Sequence, residues 1–133
     1  KRQPLVLGHD VENPETVATA IRIGKPASGS KALAARDDSN GLISSVTDEQ
    51  ILDAQAFLAA KEGIFVEPAS AAGVAGLLAL KQSGDLPAGQ RIVITVTGNG
   101  LKDIDTALSR TELSTEAVEP STDRVAALLG LHR

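Results

Sequence analysis

The chain has 133 residues, 42% of them hydrophobic, and a formal charge of −4 from thirteen basic and seventeen acidic side chains. That length supports one domain with its own core. Two Phe, no Tyr or Trp, and no basic run exclude a stacking platform or a phosphate-neutralising strip for nucleic acid. The absence of Cys excludes disulfides and thiolate metal sites and fits a cytoplasmic protein. No apolar run approaches the roughly 20 residues that cross a bilayer.

In chain order, Asn13-Pro14-Glu15-Thr16 reads as a helix start, with Asn13 as cap and Pro14 in the first turn. Val17, Ala18, Ala20 and Ile21 then form the apolar face, and Gly24 and Pro26 end the helix. A second helix is expected from Ser28 to about Arg36, with Ala32 and Leu33 inward, followed by a turn at Asp37–Gly41. Leu42–Val46 reads as a strand. Thr47-Asp48-Glu49-Gln50 is a capping box, and Ile51, Ala54 and Leu58 follow at helical spacing up to Gly63. Ile64–Val66 is a short strand candidate. Pro68 then opens a helix carrying Val74, Leu77, Leu78 and Leu80 to Gly84.

Arg91–Thr97 holds an uninterrupted run of β-branched residues, the pattern of a strand buried on both faces of a parallel sheet. Gly98-Asn99-Gly100 breaks it, and a short helix is expected from Asp103 to about Leu108. Residues 111–120 read as a polar linker, and Ser121 caps a terminal helix with Val125, Leu128 and Leu129 inward. The alternation predicts an α/β fold, with helices layered around a mainly parallel sheet. Two or three strands make a thin sheet, and the chain opens at Lys1 without Met. Both features predict that further chain completes the fold.

Chemistry is expected at two places. Thr97-Gly98-Asn99-Gly100 follows the carboxyl end of the most apolar strand, where open parallel sheets bind ligands. Gly98 and Gly100 would let a flat or anionic ligand approach the backbone, although the same pattern serves as a plain tight turn. The segment is not a phosphate-binding P-loop, because no Lys-Ser/Thr follows at the required spacing. Glu67-Pro68-Ala69-Ser70 lies at a strand-to-helix junction where amides can face a ligand. On the residues alone, an ordinary helix start is the favoured account of it. His9 and His132 are isolated surface residues, with no carboxylate or second His at metal spacing. Arg22 reads as a salt-bridge partner, Lys102-Asp103 as a solvated pair, and Ser28 and Ser30 as turn and cap residues.

Three segments together resemble one family. Asn13-Pro14-Glu15-Thr16-Val17-Ala18-Thr19-Ala20-Ile21-Arg22-Ile23-Gly24 is similar to the N-P-E-T-I-A-T-A-I-R-I-G stretch of threonine synthases. Val66–Ala72 is similar to their V-E-P-A-S-A-A stretch, and Val96–Asp103 to their V-T-G-N-G-L-K-D stretch. The order and spacing are family-like over roughly residues 4–108, in the shorter bacterial form.

The resemblance implies the C-terminal part of a tryptophan-synthase-β-like (fold type II) enzyme that uses pyridoxal phosphate. Such enzymes convert O-phosphohomoserine and water to threonine and phosphate, commonly as homodimers. It further implies that Thr97 bonds the pyridine nitrogen of the cofactor. A hydroxyl, unlike a carboxylate, leaves that nitrogen unprotonated and the ring a milder electron sink. Gly98 and Asn99 would shape the pocket wall, with Glu67 and Ser70 near the cofactor side. Nothing matches the family's S-F-K-D-R-G context of the Schiff-base lysine or its phosphate-holding glycine loop. The catalytic lysine is thus expected in a missing N-terminal part. Pro26-Ala27-Ser28 continues to Gly29 where the family often has Trp, and Ile104 replaces a frequent Pro. Other readings of the residues are a serine or threonine dehydratase-like enzyme, a non-catalytic interaction module, and a truncated gene product.

Overall fold

The computed structural model describes residues 4–110 and 117–131. The expected linker at 111–120 falls mostly outside them, as does His132. The helices are α1 (Pro4–Leu7), α2 (Gly29–Asp38), α3 (Asp48–Phe57), α4 (Pro68–Ser83), α5 (Ile104–Leu108) and α6 (Thr122–Leu128). Single 3₁₀ turns span Thr19–Ile21 and Gly100–Asp103, and a π turn at Leu58–Glu62 extends α3.

The two long helices form as their sequences dictate. Thr47 Oγ1 accepts from the Gln50 amide at 3.2 Å, and the Gln50 side chain accepts from the Thr47 amide at 2.8 Å. This reciprocal pair satisfies two amides that the first turn of α3 would leave unbonded. Pro68 opens α4, where its missing N–H costs nothing. Gly84 closes α4 at φ 81°, and the Asp85 and Leu86 amides both bond the Leu80 carbonyl. Gly63 ends the π turn in the same left-handed conformation, at φ 66°.

α3 lies against α4, and their contact is the core. Ile51, Ala54 and Leu58 meet Ala71, Val74 and Ala75, with Ala18 and Val66 completing the buried cluster. Small residues on α4 let the two backbones approach closely, so modest side chains fill the space. Burying Ile51 contributes about 2–3 kcal/mol of transfer free energy. Ile94 packs onto α4 where Gly73 has no Cβ; a methyl there would sit 3.3 Å from the Ile94 methyl.

Three expectations need correction. First, residues 13–24 form an irregular segment with one 3₁₀ turn, not a helix. Thr16 Oγ1 donates to Asp48 at 2.6 Å and accepts from the Ala18 amide at 3.2 Å, a local bond that competes with helix. The Val11 amide bonds the Gly24 carbonyl at 2.9 Å and closes the segment into a loop. Gly24 is required there, because a Cβ would strike the Val11 carbonyl. Ala18 is fully buried, whereas Ile21 is exposed.

Second, no β-strand forms among the described residues, so the layered sheet is absent from them. Residues 42–46 and 91–97 have no regular secondary structure, and Val93 is 88% exposed. A strand needs hydrogen-bonding neighbours, and here the one pairing is an isolated antiparallel bridge between Val66 and Asn99. Third, Val125, Leu128 and Leu129 on and after α6 are exposed rather than inward. Ser121 caps that helix as expected, accepting from the Arg124 amide at 3.3 Å. Ala32 and Leu33 on α2 are half-buried.

Candidate functional site

The N-terminus of α4 and the turn after residue 97 are joined into one unit. The Glu67 amide donates to the Gly98 carbonyl at 3.0 Å, and the Gly100 amide donates to the Phe65 carbonyl at 3.1 Å. These two bonds flank the Val66–Asn99 bridge. The unit is fastened to α3 by Gln55, whose Nε2 donates to the Val66 carbonyl at 2.8 Å. Gln55 is buried. It lies at an apolar-face position, one residue after Ala54 and three before Leu58, and that placement was its signal in the sequence. Sequence reasoning missed it.

Ser70, 5% exposed, stands in the first turn of α4 and reaches across to the turn. Its Oγ accepts from the Gly98 amide at 2.6 Å and from the Thr97 amide at 3.2 Å. The same oxygen lies 3.1 Å from Thr97 Oγ1. Thr97, Gly98 and Ser70, read separately from the sequence, are therefore one hydrogen-bonded group. Thr97 itself is exposed.

Glu67 and Asn99 serve the same turn differently. Glu67 precedes α4 in an extended conformation (ψ 157°) without capping it by its side chain. The carboxyl group lies against Gly98 instead, where a Cβ would overlap it and come within 2.8 Å of Glu67 Cγ. A Cβ on Gly100 would likewise pass 2.6 Å from three ring carbons of Phe65. Both glycines thus admit neighbouring protein side chains on the side where a Cβ would stand. Asn99 Oδ1 accepts from the Leu101 amide at 3.0 Å and caps the following 3₁₀ turn.

The lesser candidates separate from this group. His9 is exposed, its Nδ1 2.9 Å from the Asp10 carbonyl. Ser28 precedes α2 without capping it by its side chain. Ser30 lines a cleft of about 290 Å³ with His9 and Asp10. Arg22 pairs with Glu15 at 3.9 Å, the salt bridge expected of it. Lys102 is exposed, but Asp103 is half-buried, with Oδ2 lacking a hydrogen-bond partner, so the two are not a solvated pair. Among the described residues no group of His, Cys, Asp and Glu could hold a metal, and no helix is long and apolar enough to cross a membrane.

Known proteins carry similar sequences. The chain is 50% identical over 128 residues to a threonine synthase of Synechocystis, an alignment covering 96% of this chain and 33% of that protein. A Mycobacterium leprae threonine synthase is 56% identical over 105 residues, 79% of this chain and 29% of its own length. One from Methanocaldococcus jannaschii is 54% identical over 101 residues, 76% and 25% respectively. The chain spans a quarter to a third of the length of these relatives. A family profile described as pyridoxal-phosphate-dependent enzyme matches residues 4–98, through Ser70, Thr97 and Gly98, and the chain belongs to that family.

Proposed function

We propose that the chain is the C-terminal part of a threonine synthase that converts O-phosphohomoserine and water to threonine and phosphate. The observation that carries this reading is 50% identity to the Synechocystis threonine synthase over 96% of the chain. The share of the relatives left unmatched supports a further N-terminal part, which would bring the Schiff-base lysine and the phosphate-holding loop. Residues 1–110 are then the end of the catalytic domain, 111–120 a linker and 121–133 a terminal segment that carries α6. The β-branched segment 91–97, with Val93 uncovered, is consistent with a strand whose parallel neighbours come from the rest of the enzyme. A homodimer in the cytoplasm completes the reading.

Pyridoxal phosphate, when bound, supplies a conjugated ring that takes up an electron pair from the substrate. The residues present fit such a group, because the exposed Thr97 hydroxyl is neutral and anchored by buried Ser70. Thr97 would bond the ring nitrogen without charging it. Gly98, backed by the Glu67 carboxyl group, and Asn99, tied into its own turn, would form the wall beside the ring.

A chimera in which this chain replaces the matching third of the Synechocystis protein tests the reading. Phosphate release from O-phosphohomoserine is expected. Ammonia release from threonine instead would assign the chain to a dehydratase, and an inactive but folded chimera would count against both.

A further inference from the structure

Ser70 bonds leave its hydroxyl little choice. A serine oxygen has two acceptor sites and one hydrogen. Both acceptor sites are taken, by the Gly98 amide at 2.6 Å and the Thr97 amide at 3.2 Å. Among the described residues its one further hydrogen-bond partner is Thr97 Oγ1, at 3.1 Å. Amide hydrogens cannot reverse their direction, so the Ser70 hydrogen must be the one between the two hydroxyls. Thr97 Oγ1 is then an acceptor toward Ser70, and its own hydrogen is turned away from the protein bond. Ser70 is 5% exposed, so water does not compete for these sites.

We infer that Ser70 is the positioning residue that makes Thr97 a hydrogen-bond donor. On the proposed reading, that donor serves the unprotonated ring nitrogen of the cofactor. A protonated ring nitrogen would have to donate to the second acceptor site of Thr97 Oγ1 and would leave the freed Thr97 hydrogen unused toward the ring. Two backbone amides, acting through Ser70, therefore free the Thr97 hydrogen for the ring nitrogen. Thr97 carries the contact, and Ser70 fixes its polarity.

The test uses the holo chimera described above, loaded with ring-¹⁵N pyridoxal phosphate. The wild-type resonance is expected at the position of an unprotonated, hydrogen-bonded pyridine. Thr97→Val should move it downfield to that of a free pyridine. Ser70→Ala should move it part of the way in the same direction and lower kcat more than it raises KM, while Ser70→Thr should restore the wild-type shift. A Ser70→Ala resonance identical to wild type, with Thr97→Val displaced, would overturn the role of Ser70 and leave the assignment of Thr97 intact. A Thr97→Val resonance identical to wild type would overturn the assignment of Thr97 to the ring nitrogen. Neutron diffraction from the unsubstituted holoenzyme in heavy water supplies a measurement that needs no variant to fold. The Ser70 deuteron is expected between the two hydroxyls; a Thr97 deuteron pointing at Ser70 Oγ would refute the inference.

Discussion

Replacing Gln55 by Leu removes one donor and keeps most of the side-chain volume. Gln55 is 6% exposed, and its Nε2 lies 2.8 Å from the Val66 carbonyl. Val66 faces Asn99 at a non-hydrogen-bonded position of the antiparallel bridge, so its carbonyl points away from Asn99 and needs another donor. Val66 is itself buried, and water has little access to that oxygen. The lost bond costs about 1 kcal/mol net, and the stranded carbonyl adds about 1–3 kcal/mol. The greater apolarity of Leu returns about 1 kcal/mol. The net loss is then about 2 kcal/mol. With a urea dependence of about 2 kcal/mol per molar for a chain of this size, the midpoint should fall by about 1 M. Far-ultraviolet circular dichroism follows the transition, because α3 and α4 hold half of the α-helical residues among those described. A Gln55→Leu chain with an unchanged or higher midpoint would show that Gln55 does not support the Val66 carbonyl.

Three other substitutions probe separate contacts. Thr47→Ala removes the capping box of α3 and should lower stability by about 1 kcal/mol in the same titration, with Thr47→Ser close to wild type. Gly24→Ala forces a Cβ onto the Val11 carbonyl; the bond from the Val11 amide should break, and that amide should lose its protection from hydrogen exchange. Val93→Asp adds charge at a residue already 88% exposed, so the stability of the chain itself should change by less than about 0.5 kcal/mol. In the chimera the same change should abolish assembly, measured by gel filtration, because residue 93 would then lie inside a sheet.

The helices were legible wherever their signals were local. Thr47 with Gln50, Pro68 at the start of α4, and Gly63 and Gly84 at helix ends each act within a few residues, and each does so as expected. The segment from Asn13 to Gly24 was misread because its decisive bonds are distant. Thr16 reaches Asp48, thirty-two positions on, and Val11 closes onto Gly24. The run from Arg91 to Thr97 has the composition of a buried strand, but composition cannot supply a neighbour, and the described residues provide none. At the site, the turn residues were visible as a motif. Their function toward one another was not, since nothing in the spacing of Ser70 and Thr97 says that one hydroxyl takes two amides from the other segment. Nor does the motif show that Glu67 and Phe65 occupy the Cβ side of Gly98 and Gly100.

The uncovered segment 92–96 has a consequence for handling the protein. It is Ile-Val-Ile-Thr-Val: five β-branched residues, uncharged, without Pro, and with its backbone unpaired among the described residues. Such a stretch is a template for intermolecular strand addition. Arg91 guards one end, and the next charge on the other side is Lys102. The 133-residue chain on its own should therefore form thioflavin-binding aggregates in a concentration-dependent way, and a charge introduced at position 93 should suppress them.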